Sequence, residues 1–552
     1  MHRVIQRGAK RLQLPKPANY PLTYKYGDNG TPDVRRSIDD FLNRTPTISS
    51  IINGITLDNP MCNESEYNHK SPYEPYIPNE GIRRMNVVYR ANMLSKQALT
   101  YGFDSNTMKL AAKHWNQIGL DKRIEHFQNI ASYIEDNRNG VKDSLIAATF
   151  VGQGKSVYEA DIDICELIDF LNFNNYYATQ MNNRELIQGE GEVNMTEING
   201  LDGFIASITP FNFTAIGANL VSVPLLMGNP VLWKPSQYSL LSNKLYYDIM
   251  LKNNIPPELI WFVVMDGQNF MDVVSKRHEL SGIAFTGSSQ VFNSIYRKVG
   301  DNVHRYDNYP RLVGETGGKN FHFVHPSADP KLVAEKTFHS TTGYRGQKCS
   351  ACSRLYVPKS LWPSVCEELK YIGEYYHNHH TYDSYGKLID DEKYKKLMLQ
   401  IDLMDQGTKA KVIRGYDCKT FSSMGLHLII SDDHSHRIFQ EEFFAPVLGV
   451  YVYDDEKVKE TLALCLDKTN NKYALTGSIF AHPDDDFIEY AFDEARFNAG
   501  NFYINDKSTG SVVGRQPFGG AGKSGTNDKA GDINLLYRFA NPRSVKVNTQ
   551  LN

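Results

Sequence analysis

"GFIASITPFNFTAIGANLVSVPLLMGNPVLW", residues 203–233, carries no charged side chain and is longer than the roughly 20 residues that span a bilayer as a helix. Its prolines rule that reading out. Pro210, Pro224 and Pro230, with Asn212, Asn219 and Asn229, cut it into pieces too short to cross. It reads instead as buried strand, helix and strand, with no membrane insertion. Outward from it, between 201 and 300, strand-like runs ("PVLWKPS", "IWFVVM", "GIAFTGS") alternate with helix-like ones ("SLLSNKLYYDIMLKNN", "FMDVVSKRHE", "SQVFNSIYRKVG"). That order predicts an α/β fold with right-handed crossovers and a parallel sheet covered on both faces.

A second alternating stretch runs from "KNFHFVHP" at 319 through "LTGSIFA" at 475 to "AGNFYIND" at 499, so a second α/β domain is expected to begin near 315. Residues 105–180 show helical apolar spacing and predict long covering helices. Residues 30–100 are irregular, with one short strand candidate, "IINGITLD".

The chain has 552 residues, and its 60 basic and 63 acidic side chains leave a formal charge of -3. That balance gives no drive toward nucleic acid or anionic membrane and points to a small molecule or another protein as partner. Seven cysteines in this length argue against a disulfide scaffold and for a reducing compartment. The start, "MHRVIQRGAKRLQLPKP", has no acid before Asp28, and Arg3, Arg7 and Arg11 recur at helical spacing opposite Val4, Ile5 and Leu12. This is the pattern of a mitochondrial presequence, with a basic disordered start as the alternative.

The chemistry-bearing residues begin with Cys349 and Cys352 in "GYRGQKCSACSRLYVP", 343–358. A structural zinc needs four ligands and no second pair exists, so no metal is expected. A redox pair would follow a strand and open a helix, whereas this pair precedes a strand-like run. One nucleophile or none remains. Glu315 in "GETGGKN" sits among glycines that let a carboxylate approach a bound molecule, although such an acid is usually only a turn residue. "TPFNF" ends the first strand, where Asn212 offers a side-chain N–H to an oxyanion or merely caps a helix. "WKPS" (233–236) ends the second strand, and "FTGSS" (285–289) joins a strand to a helix whose N–H groups can face an anion. The literal dinucleotide match "GAGKSG" at 520–525 lacks a strand before it and a helical pattern after it, and is rejected as a fingerprint.

Taken together, "TPFNFTAIGANL", "LWKPS", "FTGS", "GETGGKNFHFVHPSAD", "GQKCSACSRLYVP", "EEFFAPVL", "GNFYINDKSTGSVVG" and "QPFGGAGKSGTNDKAG" resemble the aldehyde dehydrogenase superfamily in order and spacing. The resemblance is dense from about 145 to 540 and thin before 100. It implies a Rossmann-type NAD-binding domain, an α/β catalytic domain and a small oligomerisation hairpin. Cys349 is then the nucleophile, Asn212 and the Cys349 N–H hold the oxyanion, and Glu315 activates the water that hydrolyses a thioester. Lys234 and Glu442 bind the riboses of NAD, Thr209 lies at the nicotinamide side, and Gly287, Ser288, Ser289, Gln290 and Val291 cover the pyrophosphate. Cys352 has no role and reads as packing.

More narrowly, "STGSVVGRQPF" resembles the anchor loop of the branch that oxidises L-glutamate γ-semialdehyde, the open form of Δ1-pyrroline-5-carboxylate, to L-glutamate in proline catabolism. Gly510 and Ser511 then hold the amino-acid end, with Ser350 beside the nucleophile, Phe213 and Phe518 around the aliphatic chain, and Glu166 as a nearby carboxylate. The resemblance further implies a mitochondrial matrix enzyme and a homodimer or higher homo-oligomer. It divides the chain into a presequence or disordered start (1–30), the first part of the NAD-binding domain (31–185), the hairpin (186–200) and the Rossmann-type core (201–313). The catalytic domain (314–505) and the anchor loop with its oligomerisation tail (506–552) follow. Gln237, Ala445 and Gly522 depart from the family pattern, where an acid, a glycine and an arginine are usual. Another semialdehyde, a CoA-acylating reaction, or a silent binding protein on this fold remain as alternatives.

Overall fold

The charge-free stretch is strand Phe204–Ile208, helix Thr214–Leu226 and strand Val231–Lys234, nearly all of it buried. Pro224 lies inside the helix and has no N–H for the carbonyl of Leu220, one turn earlier. The Ser207 hydroxyl, on the neighbouring strand, donates to that carbonyl at 2.8 Å. The last carbonyls of the same helix are met from other helices, Leu225 O by Trp115 Nε1 and Leu226 O by the buried Arg123 Nε, each at 2.8 Å. A helix without a polar face thus has carbonyls met by side chains that reach it from elsewhere.

The computed structural model describes residues 12–25, 28, 30–58, 63–70, 87–137, 140–379, 386–407, 409–415 and 424–550. Its first seven-stranded sheet runs Arg311–Glu315, Leu280–Thr286, Phe204–Ile208, Val231–Lys234, Ile260–Phe262, then Ile51–Ile52 and Ile55–Thr56. The first five are parallel, and the last two are an antiparallel hairpin turning at Asn53 and Gly54 (φ 51° and 77°). The chain moves outward in one direction from Phe204–Ile208 and then returns to lay Leu280–Thr286 on its other side. This makes a switch point between those two strands, where open α/β sheets bind ligands.

The second seven-stranded sheet runs Lys411–Ile413, His427–Ile430, Val447–Tyr453, Cys352–Pro358, Asn320–Val324, Thr476–Phe480 and Asn501–Ile504, parallel except for the first. The chain leaves the first sheet at Glu315 and enters the second at Asn320. The expected long helices are present as Ser105–Gln117, Leu120–Glu135, Val141–Gln153 and Val157–Asn182.

One expectation changes. Residues 12–25 are not a disordered start: Tyr24 is buried, the Tyr20 N–H donates to Asp169 at 2.6 Å, and the Thr23 and Tyr24 N–H groups donate to Asp161 at 2.6 and 3.0 Å. Buried carboxylates on helix Val157–Asn182 need those donors, so the arm is held down. The amphipathic start over 1–11 lies outside the described residues. The two segments assigned to oligomerisation meet each other: strand Glu192–Asn199, from 186–200, pairs antiparallel with Asn541–Asn548 of the tail. Among the described residues no helix is long and apolar enough to cross a membrane.

Lys155 and Asp163, both with fully buried side chains, pair at 2.7 Å, and Asp163 also accepts the Thr214 and Ala215 N–H groups at 2.9 and 2.8 Å. Removing one partner strands a buried charge. Asp163→Ala is expected to cost about 3–5 kcal/mol, read as a lowered urea midpoint at unchanged m-value.

Candidate active site

The first sheet delivers its side chains by register. Lys234, Ile208 and Phe285 form one row across three strand ends, and Thr286 pairs with Glu315 on the next. Thr209 follows Ile208, its hydroxyl taken by Trp233 Nε1 at 3.0 Å. At the switch point, Ser288 caps helix Ser289–Asp301 by accepting the Val291 N–H, which leaves the Ser289 and Gln290 N–H groups to a ligand. Burial pushes the Lys234 amine down to about 8, with Asp266 pulling the other way. These are groups suited to an anion and to hydroxyls.

Cys349 ends a loop under strain. Tyr344, Arg345 and Gly346 are left-handed in succession (φ 48°, 53° and 68°), a conformation that costs a non-glycine residue about 1–2 kcal/mol. Distant groups hold it there. Arg345 donates from Nε to Gly386 O at 3.1 Å and from Nη1 to Met424 O at 3.0 Å, and Gln347 donates from Nε2 to Lys387 O at 2.7 Å. Asn320 Nδ2 then binds Cys349 O at 2.7 Å and Ala351 O at 2.8 Å, while the Ser508 hydroxyl binds Ser350 O at 2.9 Å. With three successive carbonyls pinned, the Cys349 and Ser350 N–H groups are turned toward the sulfur and favour its anion. Asn212 reaches the same loop, donating from Nδ2 to Gln347 O at 3.1 Å, and its amide carries a second N–H for an oxyanion.

Two carboxylates bracket the thiol. Burial pushes the Cys349 thiol well up, and Glu315 and Glu442 push it further. Glu315 is itself raised to about 8 by burial, against the Gly520 N–H that donates to its Oε2 at 3.0 Å. Glu442 is raised by burial and held by the Gly318 N–H at 2.9 Å. A Cβ at Gly317 would overlap the Glu442 carboxylate, so this glycine is what admits the acid.

A cavity of about 140 Å³ joins these groups; Cys349, Ser350, Glu315, Phe213, Phe518, Ser511 and Glu166 all line it. Glu166 is raised to about 8, first by burial and then by Asp163. Gly510 adjoins Ser511 without lining the cavity, and Asn212 does not line it but is hydrogen-bonded to the Cys349 loop at Gln347. Thr209, Lys234, the 287–291 turn and Glu442 lie outside it, along the strand ends and the Gly317–Gly318 turn. Cys352 is packed beneath, its Sγ donating to Arg354 O at 3.5 Å. Of the departures, Gly522 is left-handed (φ 59°), where an arginine would be strained, and a Cβ on Gly346 would overlap the Ala445 backbone.

A model of the aldehyde dehydrogenase family matches residues 104–545. The chain belongs to the aldehyde dehydrogenase family. It is 43% identical over 447 residues, 79% of this chain and 78% of the relative, to the mitochondrial delta-1-pyrroline-5-carboxylate dehydrogenase of Mus musculus. To the enzyme of that name from Dictyostelium discoideum it is 37% identical over 564 residues, 99% of this chain and 96% of the relative. A solved delta-pyrroline-5-carboxylate dehydrogenase from Mycobacterium tuberculosis, bound with NAD, superposes with a TM-score of 0.86 at 34% identity, covering 98% of this chain and 97% of that one.

In this aldehyde dehydrogenase several functional groups escape sequence reasoning. Asn320 and the Gly520 N–H are the main ones. A polar residue opening a fully buried strand is a signal for the first, since it must be satisfied. The 520–525 glycines carry only the failed dinucleotide reading, whereas in space they wrap Glu315, with Gly525 bridging it and Ser524 O accepting the Thr316 N–H at 2.8 Å.

Charge coupling between Glu315 and the thiol is testable. Above the pH near 8 at which Glu315 ionises, Glu315→Gln removes a repelling charge and lowers the thiol pKa. Iodoacetamide then alkylates Cys349, followed by peptide mass mapping, about threefold faster than in the unchanged protein, equivalent to roughly half a pKa unit. Equal rates throughout the alkaline range would remove the coupling.

Proposed function

We propose that this aldehyde dehydrogenase oxidises L-glutamate γ-semialdehyde to L-glutamate with NAD, in the mitochondrial matrix, as a step of proline breakdown and as a homodimer or higher homo-oligomer. The observation that carries this reading is the single cavity in which Cys349 and Glu315 share walls with Ser511, Ser350, Phe213, Phe518 and Glu166. An aldehyde carbon at Cys349 leaves the apolar chain between the phenylalanine rings and the amino-acid end at the Gly510–Ser511 loop. A site that must satisfy its polar groups with that end rejects a plain alkyl aldehyde.

NAD fits the first sheet. The 13-residue helix Ser289–Asp301 opens toward the switch point and can take the pyrophosphate, with Gly287 to Val291 around it. Lys234, Thr209 and the Glu442 carboxylate held on Gly318 N–H supply partners for the ribose and nicotinamide ends. When bound, NAD supplies the hydride acceptor of the reaction.

The residues of the chain do the rest. The Cys349 thiolate adds to the aldehyde carbon, and the oxyanion that forms is met by Asn212 Nδ2 and the Cys349 N–H. Loss of hydride leaves an acyl thioester on Cys349. Glu315 takes a proton from water, the hydroxide oxygen bonds to the acyl carbon, and the C–S bond breaks to release the thiolate and a carboxylic acid, which gives its own proton to solvent. A base with a pKa near 8 is matched to this task close to neutral pH. Lys348, ion-paired with Glu159 at 2.9 Å, adds positive charge to the cavity wall for the substrate carboxylate.

The test is NADH formation with pyrroline-5-carboxylate, succinate semialdehyde and a simple alkyl aldehyde. Pyrroline-5-carboxylate is expected to give the highest kcat/KM; equal values on all three would overturn the substrate assignment. Cys349→Ala abolishes the rate. Glu315→Gln keeps a first-turnover burst and lowers steady turnover by about 10²–10⁴-fold. Cys352→Ala stays within about twofold, as a small core substitution away from the reacting atoms does.

A further inference from the structure

The Gly519–Gly520 peptide group lies between two charges. Its N–H, from Gly520, donates to Glu315 Oε2 at 3.0 Å, and its C=O, from Gly519, accepts from Lys529 Nζ at 3.0 Å. The same ammonium also binds Gly500 O at 2.7 Å, so it clamps the turn before the Gly519–Gly520 peptide to the end of the second sheet. The clamp is built at a cost. Asn527 and Lys529 both adopt left-handed backbone (φ 56° and 57°), unusual for a lysine. Phe518, which lines the cavity, is fixed by reciprocal backbone hydrogen bonds with Ala530 at 3.0 and 2.7 Å. Gly519 stands so close that a Cβ there would be 3.1 Å from Glu315 Oε1.

We propose that Lys529 is a positioning residue for Glu315, acting through the Gly519–Gly520 peptide, whose N–H it aims at the carboxylate and whose dipole it polarises. A cation on the carbonyl side strengthens the N–H as a donor on the other side, and a hydrogen bond to the anion favours the anion. Lys529, itself a lining residue of the cavity, thereby favours the base form of Glu315 through the peptide in addition to its direct charge. Glu315 is also faced by Asp528 from the same loop, which opposes its ionisation, and by Cys349 from the nucleophile loop. Lys529 is the cation in this set. The proposal rests on Glu315 being the base for deacylation.

Full-length enzyme with NAD and pyrroline-5-carboxylate provides the test, with Lys529→Met, Lys529→Arg, Glu315→Gln and the Glu315→Gln/Lys529→Met pair. Lys529→Met is expected to leave the NADH burst within about twofold while steady turnover falls about tenfold or more. The acid-side midpoint of kcat should move up by about half a pH unit or more, because a cation that favours the carboxylate is gone. Lys529→Arg should restore both in part. In the Glu315→Gln background Lys529→Met should have no further effect, since its route is removed. If Lys529→Met does not fold, Lys529→Gln, which keeps two N–H donors and loses the charge, should show the same shift of midpoint. Burst and steady rates falling together with an unmoved midpoint, or an undiminished effect in the Glu315→Gln background, would overturn the proposal. Full turnover by Glu315→Gln alone would instead sink the general-base reading, and the positioning role with it. A defective Glu315→Gln beside an unimpaired Lys529→Met would sink the positioning role only.

Discussion

The Asp163 carboxylate, wholly removed from water, is the constraint on which the site depends. A buried anion of this kind needs a charge partner and hydrogen-bond donors, and here a lysine ammonium and two backbone N–H groups supply them. The result is geometric. Helix Thr214–Leu226 is tied by its first turn to helix Val157–Asn182, so the turn carrying Asn212 and Phe213 has one position. Lys155, held by the same carboxylate, lies 3.7 Å over the Phe213 ring, and the preceding turn accepts the Tyr344 hydroxyl at Gln153 O. A single ion pair thus reaches Asn212, the cavity wall and the strained loop before Cys349.

The site collects groups that the fold makes reluctant to ionise. Glu315 and Glu166 are both raised to about 8 from an ordinary 4.5, mainly by burial. Because the folded protein keeps protons that the unfolded chain releases, these two acids reduce stability progressively as pH climbs from about 4.5 through about 8. The Cys349 thiol, raised by burial and by two neighbouring carboxylates, belongs to the same pattern. Local choices that a stable fold would avoid are concentrated where chemistry needs them.

Much of this was legible along the chain. The two alternating stretches predicted two parallel sheets, because strands covered on both faces must be apolar throughout and helices must connect them. Cys349, Glu315 and Asn212 could be singled out because each sits in a short stretch with its own chemistry: a cysteine before a strand, an acid among glycines, an asparagine at a strand end. The 12–25 arm was not legible as ordered, because it is held by Asp161 and Asp169, far along the chain, and neither partner leaves a mark on the local pattern. The glycines at 520–525 were not a dinucleotide fingerprint, as their context indicated, and their use, to let a backbone approach Glu315, has no local signal.

The amino-acid sequence by itself determined the element types and the family resemblance, since these depend on periodicity and on short runs of residues. Tertiary structure alone decided which cavity unites Phe213, Glu315, Cys349 and Ser511, and how each polar group is aimed. It also decided that Asn320 pins the Cys349 loop and that the Gly519–Gly520 peptide lies between Lys529 and Glu315. The physical reason is that burial and hydrogen bonding act over a few ångströms in space, between residues separated by as many as about 300 positions in sequence, such as Phe213 and Ser511.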